Sequence, residues 1–415
     1  MAIGKYNEIT SCEVCGNSNL ESVLDLGLHP MCDDLVGINE ARVCAEYPIE
    51  ILFCKICNTA HQRFQVPKED LFPATYHYRS RFTADVLNGM RGLVESCSSR
   101  FGALSGKTVL DIGCNDGSLL DFFREQGAIT IGIEPTGAFS DALAKGHVTY
   151  NGFLSESLAS ELVSAHGKPD FITFTNVFAH IENLQEVLLA LKIMLSETTV
   201  IIIENHYLGS VLEGNQFDTF YHEHPRTYSY SSFSQMAQTL NTKISGVEFP
   251  ARYGGNIRIF LGNITNSDSA ELVDLNALAV RESKFFNDFG LMRENIKAWL
   301  KIKHDYIQDQ FNKHGKLRAK AFPGRAAILV KLLGLDESLI SAVYEKPGSL
   351  KIGNYLPGTR IPICSDDELF RLNDQSSPLL NLAWHIPQEI RRYLTEHAYV
   401  GEVEDVLCAN DFLKK

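Results

Sequence analysis

Four consecutive residues, Tyr221-His222-Glu223-His224, set a phenol, two imidazoles and a carboxylate side by side. They lie in the run QFDTFYHEHPRTYSY, where Phe217, Phe220, Tyr228 and Tyr230 surround them. Imidazole titrates near pH 6.5, and an apolar surround moves such groups toward the values that acid–base chemistry needs. The same string also reads as a polar surface loop, and only its context separates the two. A second chemical signal is Cys12-x-x-Cys15 with Cys54-x-x-Cys57. Two such knuckles let four thiolates converge on one tetrahedral Zn2+, which fills its coordination sphere and leaves no open position for catalysis. The zinc expected here is therefore structural, a staple for a module too small to hold itself. The 38 residues between Cys15 and Cys54 exceed the usual zinc-ribbon gap and require an extra hairpin or loop. Cys32 and Cys44 fit no spacing and read as buried small hydrophobes.

The elements that must position these groups show most clearly between residues 107 and 205. Lys107–Ile112 reads as a buried strand, followed by a turn, Gly113-Cys114-Asn115-Asp116-Gly117, and a helix. Further apolar strands run through 128–134, 170–176 and 199–204, with helical patterns between them. Such alternation predicts a doubly wound parallel sheet, whose ligands bind beyond the carboxyl ends of the strands. Gly113 and Gly117 let a ligand approach the backbone closely. Glu134, closing the second strand 17 residues after Gly117, is placed to bind ribose hydroxyls. A nicotinamide site would show G-x-G-x-x-G. Here the turn is Asp111-x-Gly113-x-x-x-Gly117 with Asn115 inside it, which resembles the S-adenosylmethionine-binding sheet of class I methyltransferases. Asn176 and His180, after the third strand, would face the same cleft. Tyr76 and Tyr78, before a helical pattern at Val86, Leu87, Met90, Leu93 and Val94, read either as core or as lining a site. Arg258, in a strand after Gly254-Gly255, reads either as a phosphate ligand or as a surface arginine. A stripe from Leu272 through Trp299 to Phe311 predicts long helices packed as core, and residues 319–415 repeat an α/β pattern.

Bulk properties narrow the partners. The chain has 415 residues, a net charge of −13 and no Lys/Arg block, which disfavours nucleic acid. No apolar run approaches a membrane span and no apolar leader opens the sequence, so the expectation is no membrane and a cytoplasmic, reducing setting.

In order along the chain stand the paired cysteines, DIGCNDGSLL, Phe178-Ala179-His180, the YHEH run, Gly254-Gly255-Asn256-Ile257-Arg258 and Leu356–Ile363 (LPGTRIPI). Together they resemble the bacterial C-methyltransferases of nucleotide-linked 4-keto-deoxysugars, over nearly the whole chain. The resemblance implies a zinc-binding module (1–70), an S-adenosylmethionine-binding methyltransferase domain (71–265), a helical connection (266–318) and a C-terminal Rossmann-like domain that helps bind the sugar nucleotide (319–415). It implies His224 as general base and Tyr221, Glu223 and His180 as supporting groups, with His222 structural. For the cofactor it implies Asp111, Gly113, Asn115, Gly117, Glu134, Asn176, Tyr76 and Tyr78, and for structural zinc Cys12, Cys15, Cys54 and Cys57. The substrate it implies carries thymidine or guanosine diphosphate (TDP or GDP), methylated at C3 or C5 beside the C4 ketone, with C3 the commoner outcome. Departures fall in the substrate half. Arg325 stands where the family's G-x-G-A-x-x-K turn has lysine, Tyr344–Lys351 replaces D-x-x-P-x-K, and Tyr253 replaces a histidine. A nucleotide-sugar dehydrogenase or epimerase, or a non-catalytic zinc and Rossmann binding module, are the alternative readings.

Overall fold

Seven strands build the central layer: β1 (Thr108–Ile112), β2 (Ile129–Glu134), β3 (Val148–Asn151), β4 (Phe171–Thr175), β5 (Val200–His206), β6 (Ile244–Glu248) and β7 (Asn256–Leu261). β1, β4 and β5 are buried almost throughout, as strands covered on both faces must be. In the computed structural model, which describes residues 3–73, 78–82, 84–264 and 273–412, they form one sheet of order β6-β7-β5-β4-β1-β2-β3. β1 to β5 run parallel, and β7 is inserted antiparallel between β5 and β6. This is the doubly wound sheet expected, in the strand order of the class I methyltransferase fold. The order reverses between β1 and β4, so a cleft opens at their carboxyl ends. After β1 the chain turns through left-handed conformations at Gly113, Asn115 and Gly117. The helix Ala84–Phe101 buries Val86, Met90, Leu93 and Val94 against the sheet, as their spacing predicts.

The two cysteine knuckles lie at the end of an antiparallel sheet whose long hairpin, Glu21–Pro30 with Glu46–Cys54, occupies the 15–54 interval. Thr59–Gln62 adds a third strand. The fourth strand is Arg226–Thr227, immediately after the YHEH run. The part of the chain that carries the seven-stranded sheet therefore completes the sheet of the cysteine module.

The stripe of aromatic residues forms the 30-residue helix Phe285–His314, which buries Phe285, Phe289, Met292, Ile296, Trp299 and Ile307. Phe53 of the zinc module packs on Phe289, Phe217 packs on Trp299, and the Trp299 indole donates to the Val406 carbonyl at 2.8 Å. A shorter helix, Leu275–Glu282, precedes it, and Leu272 of the expected stripe lies outside the described residues. Beyond the long helix, five short parallel strands form a second sheet. Its order is Ile363–Ser365, Ile340–Glu345, Leu317–Lys320, Leu379–Asn381, Val403–Asp405. Asn354–Tyr355 pairs with Val36–Gly37, Lys331 meets Glu46, and Arg360 donates to the carbonyls of Glu40, Ala41 and Arg42. These contacts tie the C-terminal sheet to the zinc module.

Arg258 fits neither sequence reading. It is buried, its guanidinium holding Glu204 at 2.7 Å and Glu248 at 2.8 Å. Paired charges inside the sheet satisfy one another, so Arg258 is part of the support under β5.

Candidate active site

A cavity of about 930 Å3 lies between the carboxyl ends of β1, β2, β4 and β5 and the loops that follow the C-terminal sheet's strands. Asp111, Gly113, Asn115, Glu134, Asn176 and Tyr78 line one side of it, and His180, Tyr221, Glu223 and His224 another. Gly117 stands apart from the cavity lining. It caps the helix Ser118–Glu125 with φ of 75°, and an added Cβ would lie 3.2 Å from the Ala142 backbone. Its glycine serves the turn and the packing behind it. Tyr76 lies outside the described residues.

On the sheet side, Glu134 accepts from the Asn115 amide at 2.9 Å and from the Thr136 amide at 2.8 Å, which fixes its carboxylate beside the turn. A Cβ on Gly113 would sit 2.7 Å from the Val177 side chain, so glycine is what lets the turn close against the β4 loop. Burial raises the Asp111 carboxyl to about 7, aided by Glu134 and opposed by the Thr173 hydroxyl that donates to it at 2.6 Å. The segment 78–82 docks on the turn, with the Ser80 amide donating to Asn115 Oδ1 at 3.0 Å.

The opposite wall is built around His224. Its Nδ1 lies 3.0 Å from the Thr219 carbonyl. A carbonyl only accepts, so Nδ1 carries the hydrogen and Nε2 keeps the lone pair. The rings of Tyr221, His180 and His206 approach to 4.3, 4.9 and 5.5 Å between centroids. Burial, then His180 and His206, hold His224 well below its ordinary value, so it is neutral near pH 7. Burial also raises Tyr221 well above 10, with Glu223 and Cys32 adding to it, so its phenol keeps a hydrogen to donate. His180 is lowered by burial to about 4. His222 points away, its Nε2 3.2 Å from the Tyr47 carbonyl of the zinc module.

The loop is anchored from that module. Arg226, fully buried, donates to Glu13, which sits inside the first knuckle, and to the Glu182 carbonyl at 3.2 Å. Burial opposes ionisation of Glu13, but Arg226, His61 and Gln65 outweigh it and hold the carboxyl at about 2. The Ser229 and Ser232 hydroxyls both donate to the Cys57 carbonyl at 3.2 Å, and Gln62 donates to the Phe220 carbonyl at 3.1 Å.

Three family models match consecutive stretches of the chain: a zinc binding domain over residues 12–72, a methyltransferase domain over 82–245 and a C-methyltransferase C-terminal domain over 251–402. The C-methyltransferase NovU of Streptomyces niveus is 25% identical over 390 residues, covering 92% of this chain and 91% of that protein. Together these matches support an S-adenosylmethionine-dependent C-methyltransferase. Solved structures similar to this C-methyltransferase include the magnesium protoporphyrin IX methyltransferase of Synechocystis with bound SAH (15% identity, TM-score 0.34, 43% of this chain and 84% of that one). A SAM-dependent methyltransferase from Anabaena variabilis is another (15% identity, TM-score 0.35, 42% and 85%).

The residues of the C-methyltransferase fit both groups its family uses. The four cysteine sulfurs lie within 4.8 Å of one another, with Cys12–Cys57 and Cys15–Cys54 at 3.5 Å. Tetrahedral thiolates at about 2.3 Å from zinc stand about 3.8 Å apart, so a small inward or outward adjustment seats the ion. For S-adenosylmethionine, the open cavity, the left-handed turn and the Glu134 carboxylate at the end of β2 supply room, close backbone approach and counter-charge.

Sequence reasoning passed over three groups on the cavity wall, His206, His385 and Cys32, and named Arg325 only as a departure in the substrate half. His206 ends β5 and is lowered to about 3, by burial first and Arg325 next. Its position beyond a strand's carboxyl end was the available signal. Arg325 and His385 follow strands of the C-terminal sheet, and Cys32 comes from the zinc module. For Cys32, expected only as a core residue, no spacing signal existed, because its place depends on how the module docks.

Proposed function

We propose that this C-methyltransferase methylates C3, the carbon alpha to the C4 ketone, of a 4-keto-6-deoxyhexose carried on thymidine or guanosine diphosphate, in the cytoplasm. The observation that carries the reading is the His224 tautomer: Nδ1–H meets the Thr219 carbonyl, which leaves Nε2 the basic nitrogen of a ring that lines the cavity shared with the Gly113 turn. S-adenosylmethionine, once bound, supplies an electrophilic methyl. What remains for the chain is to make a sugar carbon nucleophilic. Neutral His224 takes the α-proton at Nε2, and a ketone next door spreads the resulting charge onto its oxygen. That oxygen needs a donor aimed at it before the charge develops. Tyr221, protonated and beside His224, is placed to give one hydrogen bond, and His180 a second. Glu223 acts on Tyr221 more than on His224, since its charge helps keep the phenol protonated. The loops after the C-terminal strands bring Lys346 and Lys351 to the cavity, a cationic side suited to a diphosphate. NovU, matched over nearly its full length, is itself a C-methyltransferase, which supports carbon as the acceptor.

The test is methyl transfer from 13C-methyl S-adenosylmethionine onto TDP- and GDP-linked 4-keto-6-deoxyhexoses, with NMR of the product locating the new carbon. A branched C3 product is expected. Turnover of none of these sugars, or label on oxygen, sinks the reading.

A further inference from the structure

The carbonyl that fixes the His224 tautomer belongs to Thr219, in the single 3-10 turn Phe217–Thr219. Two groups from the C-terminal sheet grip that turn. Arg325 Nε lies 3.0 Å from Asp218 Oδ2, and Arg325 Nη1 donates to the Thr219 hydroxyl at 3.4 Å. The Trp384 indole donates to the same Asp218 oxygen at 2.8 Å, while the guanidinium rests over the Trp384 ring, 4.9 Å from its centroid. Asp218 is fully buried and Arg325 is 10% exposed. An arginine with a purely structural role at this depth satisfies its donors. Here Nε meets Asp218 as an ion pair without hydrogen-bond geometry, and Nη2 has no hydrogen-bond partner among the described residues, at the wall of the cavity.

We propose that Arg325 is a positioning residue for His224: through Asp218 and Thr219 it holds the carbonyl that keeps the hydrogen on Nδ1 and the lone pair on Nε2. The C-terminal domain thereby sets the base as well as meeting substrate. Lysine could supply the charge but could not reach both Asp218 and the Thr219 hydroxyl from one planar fork. The charged and titratable groups around His224 are His180, His206 and Tyr221, whose rings approach it, and Arg325, with Asp218 on the turn below and Glu223 and His385 lining the same cavity. Of these Arg325 is the fixed cation, and it also contributes to keeping His224 unprotonated. The inference rests on His224 being the base, so its readouts are chosen to work without a substrate.

In full-length zinc-loaded enzyme with 15N-labelled histidine, NMR reports the tautomer and titration of each ring. Arg325→Gln is expected to mix the His224 tautomers and to move its titration to higher pH, with S-adenosylmethionine affinity and zinc content unchanged. Arg325→Lys should return the titration toward wild type without fully restoring the tautomer. On a turned-over sugar, kcat of Arg325→Gln should fall by up to about 100-fold, as slight misplacement of a reacting group can cause, with KM within about threefold. A wild-type tautomer and titration in Arg325→Gln overturn the proposal. Should that variant fail to fold, Asp218→Asn decides by the same two readouts. Failure of every sugar to react would leave these NMR results standing and would count only against the substrate.

Discussion

At the scale of single residues, the site turns on what each hydrogen does. Thr219 takes the one on Nδ1, and burial keeps the ring neutral, so His224 can act as a base without first losing a proton. Replacing it by asparagine keeps an amide able to bond the Thr219 carbonyl but removes the basic nitrogen. His224→Asn is expected to lose more than about 100-fold in kcat while isothermal titration still shows S-adenosylmethionine binding. Turnover near wild type would remove His224 from the mechanism. The YHEH run was visible in the sequence because four ionisable groups in a row among aromatics is unusual. Which histidine faces the cavity came only through the family resemblance, which named His224, since adjacent residues diverge only once a turn is built. The partner of Nδ1, a main-chain carbonyl five residues earlier, carries no side-chain signal at all.

Among elements, the sheet was the most legible part, because strands covered on both faces announce themselves as uninterrupted apolar runs. The hairpin inside the cysteine interval followed from its length. What spacing could not show is that Arg226–Thr227 finishes the zinc module's sheet, a pairing across 165 residues between Arg226 and His61. That pairing makes the knuckles a support for the proposed base, His224. Glu13, Cys57 and Gln62 together hold the chain on both sides of His224. Removing zinc with a strong chelator is therefore expected to abolish methyl transfer while leaving the Gly113 turn, and cofactor binding, largely intact. Limited trypsin digestion should then cut after Arg226, buried in the folded chain, in step with zinc loss followed by a colorimetric chelator. An Arg226 bond that stays resistant after complete metal removal would show the loop stands without its staple.

For the molecule as a whole, the buried imidazoles bind the fold to pH. Burial lowers His180 to about 4, and His206, His222 and His385 to about 3. Folded values below the ordinary 6.5 mean that, between them, the unfolded chain binds protons the folded one refuses. Stability must fall as pH drops below 6.5, by about 1.4 kcal/mol per unit for each such histidine. Asp111 works the other way: with its folded value raised to about 7, its contribution grows as pH falls from 7 toward 3.8. Asp218, raised by burial, acts in the same sense as Asp111, but with His29 also at about 4 the lowered imidazoles outnumber the two carboxyls, so the melting temperature is expected to decline from pH 7 to 5; a flat profile across that range would contradict the burial of these rings. Among the described residues no helix is long and apolar enough to cross a membrane. The ties between distant parts of the chain also bear on its manufacture. All four zinc ligands have left the ribosome once residue 57 has, yet the strand that closes their sheet emerges only with residue 227 and the Lys331 partner of Glu46 comes 285 residues after it. During synthesis a metal-loaded module must wait with an open edge, the kind of edge that recruits wrong partners. Zinc supply and the pace of translation thus become determinants of yield for this enzyme, independent of anything at its catalytic centre.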